Sequence, residues 1–328
     1  MTFNPTVIHR LDRWAASLRD LAPVLRGETA SVTIDDIRRS YVRTMAEHPT
    51  PADMRIEQID MGGVPATLVT PPEVAGDRVL FYIHGGAYIV GGPGGYHGLA
   101  AAFARALKAR VYLPDYRLAP EHPYPAALED CEAAALWLAG PGKAELGVTA
   151  LTIGGESVGA HLAVMVLLRL RDRHRMPRAF RGANLNAGFF DLGLTPSVRN
   201  WGDERLVVNT RDLTNFTNVY VREGIDRRRP DVSPIYADLK GLPPALFLAG
   251  EYDPLFEDSL LMATRWGEAS EADLIRAPQV PHGFLHFGGP ARVVQVPVGD
   301  PDLVQRQAAP RRPTWRRSSS TTPRASRY

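Results

Sequence analysis

The segment that most constrains this chain lies at residues 151–160, which read LTIGGESVGA. An apolar run typical of a buried strand passes directly into Gly-x-Ser-x-Gly, and an amphipathic stretch follows. This context is typical of a nucleophile elbow, in which Ser157 projects from a strained turn at the carboxyl end of a strand. Gly155 and Gly159 keep the turn free of side chains, and the amide of Val158 would face developing negative charge. The alternative interpretation is an ordinary structural Gly-Ser turn.

The rest of the chain has the alternating pattern of strands and helices in which such an elbow occurs. Short β-rich runs alternate with longer amphipathic stretches from about residue 54, which predicts a mostly parallel sheet with helices on both faces. Several runs are continuously apolar, as expected for strands that are covered on both sides. The predicted strands are 54–60, 64–70, 79–83, 110–113, 150–153, 183–186, 245–249 and 273–276. The predicted helices are 97–108, 125–138, 158–173 and 255–269.

Three regions differ from this alternation. Residues 1–50 are amphipathic and predicted to be a helical cap segment, whereas 51–287 form the predicted catalytic domain, with 191–235 contributing to the cap. Residues 288–328 are rich in Arg, Pro and Ser, a composition that cannot build a packed core, and we expect them to be disordered.

Charge and cysteine content exclude several classes of protein. The 328 residues carry a formal net charge of +2, and eight of the arginines lie at 291–328, so the remainder is mildly acidic and no nucleic-acid partner is expected. A polyanion-binding role for that basic tail is a minor alternative. Cys131 is the only cysteine, which excludes an intramolecular disulfide or a multi-cysteine zinc site. No secretory signal or membrane span is apparent, so we expect a cytoplasmic protein.

A nucleophilic serine needs a general base and an acid that orients the base. Asp253 follows the predicted strand 245–249, and His282 follows the last predicted strand, so the chain order is Ser, Asp, His, as in one large fold class. Glu251 is the competing acid and His286 the weaker competing base.

The third requirement, a set of amides for an oxyanion, is met by a second glycine-rich loop. The predicted strand 79–83 leads into His84-Gly85-Gly86-Ala87, whose backbone can approach a substrate carbonyl closely. We expect oxyanion donors at Gly85, Gly86, Ala87 and Val158, and we expect His84 to shape the loop by hydrogen bonding. The nearby run at 91–95, GGPGG, lacks the ending of a phosphate-binding loop.

These motifs resemble the hormone-sensitive-lipase-like (bacterial group IV) esterase family of α/β-hydrolases, over residues 54–287. The most specific part is 115–127, DYRLAPEHPYPAA, where we treat Arg117, Glu121 and His122 as structural support. The resemblance implies an α/β-hydrolase fold with an eight-stranded, mostly parallel sheet and a helical cap. It also implies a Ser157–Asp253–His282 triad, with Glu156 as a supporting motif residue.

By this resemblance the expected function is hydrolysis of small to medium acyl esters through an acyl-enzyme, with a small-molecule ester as partner and without a cofactor or metal. The alternatives are an amidase or deacetylase on the same triad, since the elbow with His161 also resembles formamidase-like elbows, and a non-catalytic ligand-binding scaffold. Ala87 replaces the usual third glycine, and Glu156-Ser157-Val158 replaces the commoner Asp-Ser-Ala.

The family normally has an amphipathic helix after the histidine loop, which the sequence at 288–328 does not provide. We therefore expect exposed apolar sheet surface near residues 245–275, which would lower stability or favour a homo-oligomer.

Overall fold

The computed structural model describes residues 13–14, 16, 18, 20–29, 31–148, 150–204 and 206–287. Eight strands form one sheet in the order β1-β2-β4-β3-β5-β6-β7-β8. The pairs β1–β2 and β2–β4 are antiparallel, and all the other neighbouring strands are parallel. This is the mostly parallel sheet that the sequence predicts.

The strands are β1 Arg55–Asp60, β2 Pro65–Thr70, β3 Arg78–Ile83, β4 Arg110–Pro114, β5 Ala150–Glu156, β6 Gly182–Asn186, β7 Ala245–Tyr252 and β8 Ala272–Pro281. The α-helices are α1 Leu21–Leu25, α2 Ile34–Met45, α3 Pro93–Leu107, α4 Ala126–Ala139, α5 Pro141–Leu146, α6 Val158–Asp172, α7 Pro196–Trp201, α8 Thr210–Tyr220 and α9 Phe256–Ala269. Two short 3₁₀ helices lie at Pro234–Tyr236 and Phe284–Phe287.

Helices pack on the sheet because the strands are apolar on both sides. Helix α6 contacts β5, β3 and β6, helix α3 contacts β2 and β4, and helix α9 contacts β7 and β8. The central strand β3 is fully buried after its first residue, and thirteen of the fifteen α6 residues are buried. A helix that is buried on nearly all sides lies in the interior of a fold. Helix α6 does so because it begins directly after Ser157, at the end of the central strand β5.

Each predicted strand is present. The boundaries of helix α3 and of strands β7 and β8 differ from the predicted ones, and both differences affect the candidate site. Helix α3 begins at Pro93, inside the glycine run, because proline already has the backbone angle that the first helical position needs. Strands β7 and β8 extend to a Tyr252–Pro281 pair, past an irregularity in register. Asp253 and His282 therefore follow two paired strand ends.

The two segments that do not follow the strand–helix alternation contain helices joined by turns: α1 and α2 lie in the first, and α7 and α8 in the second. Thr33 caps α2 and Asn209 caps α8, each in a capping box with the aspartate three residues later. Arg38 of α2 ties this segment to the sheet side: it donates to the carbonyls of Ile89 and Ala119 and pairs with Glu121.

The expected exposure of apolar sheet surface is modest among the described residues. Leu248 is buried, and Leu246 and Ile275 on the same side of β7 and β8 are half-buried. The chain segment expected to be disordered, 288–328, lies outside the described residues. Within the described part of the chain, no helix is long and apolar enough to cross a membrane.

Helix α9 offers a test of how β7 is held. Trp266 is 0% exposed, packs edge-on against Phe247 of β7 and donates from Nε1 to the carbonyl of Pro243. We expect Trp266→Ala to lower the free energy of unfolding by about 3–5 kcal/mol, since it leaves a cavity and an unpaired carbonyl. The measurement is urea denaturation followed by circular dichroism.

Leu260, which is 41% exposed on the same helix, is the matched control. Leu260→Ala should change the free energy of unfolding by no more than about 0.5 kcal/mol. Equal losses in the two variants would contradict the role given to Trp266.

Candidate active site

The elbow at Ser157 is a strained turn fixed by close backbone contacts. Ser157 has φ 58° and ψ −121°, a conformation that non-glycine residues rarely adopt. A Cβ on Gly155 would lie 2.4 Å from the carbonyl carbon of Gly159, and a Cβ on Gly159 would lie 2.1 Å from the carbonyl oxygen of Ile83. Both glycines of the motif are therefore required by the approach of β5, α6 and β3.

Ser157, His282 and Asp253 lie in one hydrogen-bonded line. Ser157 Oγ is 3.0 Å from His282 Nε2, and His282 Nδ1 is 2.8 Å from Asp253 Oδ2. The other carboxylate oxygen of Asp253 accepts from the amide of Leu255 at 2.8 Å, which fixes the orientation of the carboxylate. Asp253 and His282 are almost completely buried, at 2% and 4% exposure.

The competing residues point elsewhere. Glu251 is exposed and pairs with Arg276 at 3.0 Å. His286 Nε2 lies 3.2 Å from Glu156 Oε1. His161 Nε2 bonds the carbonyl of Val232, and burial lowers the pKa of His161 to about 4.

The surroundings of His282 favour its charged form. Burial alone would lower the pKa of His282, but the charge of Asp253, the hydrogen bond to Asp253 and the charge of Glu156 outweigh it. The pKa of His282 is therefore raised above its ordinary 6.5. An imidazole that accepts a proton readily in a buried site is suited to act as a general base.

The loop after β3 brings backbone amides next to Ser157. Ala87 has φ 57° although it is not a glycine, and Gly86 has φ 119°, where a Cβ would lie 2.0 Å from the carbonyl oxygen of Val90. Gly86, Ala87, Ser157 and Val158 all line one pocket. Among the described residues, no hydrogen-bond acceptor is paired with the amides of Gly86 and Ala87.

The amide of Gly85 differs from expectation. It donates to Tyr96 Oη at 2.9 Å and is thus committed to the protein interior. A Cβ on Gly85 would lie 2.9 Å from the carbonyl oxygen of Glu156 and 3.3 Å from Ser157 Cβ, so this glycine serves close packing. The candidate oxyanion donors narrow to the amides of Gly86, Ala87 and Val158.

His84 shapes the loop, as its position predicts. Its Nδ1 bonds the carbonyl of Gly85 at 2.7 Å, its ring stacks on Tyr116, and Tyr116 Oη donates to the His84 carbonyl. Burial lowers the pKa of His84 to about 4, so the ring is neutral at physiological pH. A neutral ring that is bonded through Nδ1 and stacked on Tyr116 is suited to structural support rather than proton transfer.

The segment 115–127 is anchored to two helices by ion pairs at its surface. The Arg117 side chain and amide both bond Asp130 of α4. Glu121 receives two hydrogen bonds from Arg38. These contacts agree with the supporting roles expected for Arg117 and Glu121.

A narrow apolar pocket opens at Ser157. Its volume is about 30 Å³, room for one or two water-sized groups. Side chains from residues 1–50, from residues 191–235 and from the core line the pocket. Its lining includes Trp14, Leu18, Tyr41, Val90, Glu156, Phe189, Val208, Leu213, Phe216 and His282.

Sequence reasoning missed Tyr96 and most of the pocket lining. Tyr96 carries no motif signal, since it lies in a glycine-rich helix start that looked like a loop. Trp14, Phe189 and Phe216 come from distant parts of the chain, and only their long apolar side chains in otherwise polar segments could have drawn attention. Within the described residues there is no group of three or more His, Cys, Asp or Glu that could hold a metal ion.

Comparisons with known proteins agree with this fold. Residues 80–286 match a family model described as alpha/beta hydrolase fold. The carboxylesterase NlhH of Mycobacterium tuberculosis is 31% identical over 290 residues, which cover 82% of this chain and 90% of that protein. An acetyl-hydrolase of Streptomyces hygroscopicus is 35% identical over 206 residues, covering 61% of this chain and 65% of that protein.

A solved structure supports assignment of the chain to one family within this fold. An esterase from the bacterial hormone-sensitive lipase family superposes with a TM-score of 0.76 at 30% identity, covering 94% of this chain and 99% of the other. Fold and site thus define an α/β-hydrolase with an elbow serine. The chain belongs to the hormone-sensitive-lipase-like family of bacterial esterases, and carboxylic-ester hydrolysis is the activity of this family.

The close packing at the elbow can be tested directly. Gly159→Ala would force a methyl group against the backbone of β3, which cannot move aside as a flexible side chain would. We expect a loss of about 3 kcal/mol or more in the free energy of unfolding, or no folded protein. Thermal and urea denaturation provide the measurement.

Gly267 in α9 is the matched control, because a Cβ there meets nothing within 4 Å. Gly267→Ala should stabilise the protein by roughly 0.5–1 kcal/mol. A Gly159→Ala variant as stable as Gly267→Ala would show that the elbow has more room than this geometry allows.

Proposed function

We propose that this protein is a serine esterase that hydrolyses short-chain acyl esters through an acyl-enzyme, with Ser157 as nucleophile, His282 as general base and Asp253 as the acid that orients it. The observation that carries the proposal is the unbroken line from Ser157 Oγ through both nitrogens of His282 to Asp253, at 3.0 and 2.8 Å.

The reaction follows from this line. His282 Nε2 accepts the hydroxyl proton as Ser157 Oγ attacks the ester carbonyl carbon, and Asp253 holds the imidazolium that forms. The amides of Gly86, Ala87 and Val158 stabilise the negative oxygen of the tetrahedral intermediate. His282 then returns the proton to the leaving alcohol, and the acyl group stays on Ser157. Water then attacks the acyl carbon while His282 accepts its proton. His282 gives that proton to Ser157 Oγ as the bond to the acyl group breaks and the carboxylic acid leaves.

The size of the pocket supports short acyl groups. Val158, Phe189 and Phe216 line the cavity beside Ser157, and its volume of about 30 Å³ leaves no room for a long chain without rearrangement. Relatives with acetyl groups in their names, such as the acetyl-hydrolase of Streptomyces hygroscopicus, are consistent with this preference.

We assign the cap to the described parts of residues 1–50 and 191–235. Trp14 and Tyr41 from the first segment and Leu213 from the second line the pocket. Trp14 also packs on the histidine loop, since a Cβ on Gly283 would lie 2.2 Å from its ring. On this assignment, the cap disfavours bulky acyl groups at Ser157. A cytoplasmic location and a homo-oligomeric state stay predictions from the sequence.

The nucleophile and the chain-length preference are tested together with p-nitrophenyl esters from acetate to octanoate. We expect kcat/KM for acetate or butyrate to exceed that for octanoate by at least about tenfold, because each excess methylene lacks room. Ser157→Ala should lower kcat by about 10⁴-fold or more for every ester. Undiminished hydrolysis by Ser157→Ala would overturn the proposal, and a flat profile would refute only the short-chain preference.

The orienting acid is tested by two substitutions of neighbouring carboxylates. Asp253→Asn should lower kcat by about 10⁴-fold, because an amide can donate to His282 and favour the wrong tautomer. Glu251→Gln, which loses only the surface pair with Arg276, should keep kcat within about twofold. Steady-state rates on p-nitrophenyl acetate measure both. The reverse order of effects would make Glu251 the acid.

A further inference from the structure

Behind the Ser–His–Asp line lies a second buried acid–histidine pair that the proposed reaction does not use. Glu156 Oε1 is 3.2 Å from His286 Nε2, and both side chains are 2% exposed. Glu156 directly precedes Ser157 in the sequence, and His286 lies four residues after His282. The pair therefore links the elbow to the loop that carries the general base.

Tyr96 connects this pair to the loop that holds the oxyanion donors. Its hydroxyl lies 3.5 Å from Glu156 Oε1 and accepts the hydrogen bond from the Gly85 amide at 2.9 Å. The Tyr96 ring also packs edge-on against the ring of His286 at 4.7 Å. One carboxylate thus lies at the junction of the nucleophile, the histidine loop and the oxyanion loop.

The pKa of Glu156 is lowered although the side chain is buried. Burial would raise its pKa, but the nearby charges of His286 and His282 and the Tyr96 hydroxyl together lower it below the ordinary 4.5. A buried carboxylate is costly unless neighbouring groups compensate for its lost hydration. Its charge reaches His282, since it contributes to the raised pKa of that imidazole.

Accepting the proposed function, we propose that Glu156 is a positioning residue for the general base: its negative charge stabilises the imidazolium of His282, while His286 and Tyr96 hold the carboxylate in place. Asp253 supplies orientation and charge together, whereas Glu156 supplies charge. The commoner aspartate at this position would carry the same charge on a shorter side chain.

Few other titratable groups face this cluster among the described residues. Asp253 and His282 come from the strand ends of β7 and β8, and His286 comes from the loop beyond. Tyr41 of α2, Tyr82 of β3 and Tyr96 of α3 face Glu156, and burial raises the pKa of each, so they stay neutral. Changes in rate between pH 5 and 9 therefore do not come from these tyrosines.

The test is the pH dependence of kcat/KM for p-nitrophenyl acetate with the full chain. In the wild type we expect the midpoint of the acid limb, where kcat/KM falls as the pH is lowered, to lie above pH 6.5. The reason is that activity requires neutral His282 and that the pKa of His282 is raised. Glu156→Gln removes the negative charge, so the acid limb should move to lower pH by about one unit. The plateau of kcat should fall about tenfold, with KM changed less than about twofold. Glu156→Asp should return the limb close to its wild-type position.

Glu132 is the matched control for loss of a buried carboxylate. It lies away from the site, pairs with Arg169 at 2.6 Å and His174 at 2.8 Å, and is 8% exposed. Glu132→Gln should lower the thermal midpoint without moving the acid limb. If Glu156→Gln does not fold, Glu156→Ser, a smaller neutral residue, replaces it in the same comparison.

Two results would overturn the inference. An unmoved acid limb in folded Glu156→Gln, with or without a lower thermal midpoint, would leave Glu156 a purely structural residue. An equal shift in Glu132→Gln would show that the effect is not specific to the pair. Both are distinct from failure of the proposed function, in which Ser157→Ala would retain the wild-type rate.

Discussion

The close contact of β5, α6 and β3 around Ser157 is the constraint on which the site depends. The strained backbone of Ser157 is held from several sides: its amide donates to the Asn186 carbonyl at 2.9 Å, and its carbonyl accepts from the amides of Ala160 and Phe189. A residue in such a conformation costs on the order of 1–3 kcal/mol and persists only where its surroundings leave no alternative. The same contacts place the loop after β3 against the elbow, so Ser157 and the candidate oxyanion donors are fixed by one packing arrangement.

Much of the fold could be predicted from the sequence because its signals are local. A central strand such as β3 is an uninterrupted apolar run, and the elbow combines a strand, a motif and a helix within ten residues. Asp253 and His282 are predicted because each follows an apolar strand in the right chain order. The geometry favours them over Glu251 and His286, since the register of β7 and β8 decides which side chains meet. That register depends on an irregularity near Gly250 that no local pattern indicates.

The pocket could not be predicted in the same way, because its lining depends on contacts between distant segments. Trp14, Tyr41 and Phe216 meet over Ser157 although they come from opposite halves of the chain. The motif at Gly85 was equally ambiguous: a glycine in an oxyanion loop can present its amide to the substrate or turn it inward. Here Tyr96, which carries no motif signal, takes that amide. Sequence motifs specify which backbone can approach closely, and packing decides which amide remains available.

The charges formed in the proposed reaction explain why the site needs several compensating groups. The proposed reaction forms a positive imidazolium and a negative oxygen in a buried space, where either charge alone would be unstable. Fixed backbone amides compensate for the oxygen, and they need no reorganisation during the reaction. The imidazolium has Asp253 in direct contact and Glu156 within electrostatic reach. Two carboxylates near one histidine would repel each other if both were unpaired, but His286 lies beside Glu156 and the Leu255 amide binds Asp253. The arrangement therefore keeps two negative charges available to His282 while each remains compensated in the resting protein.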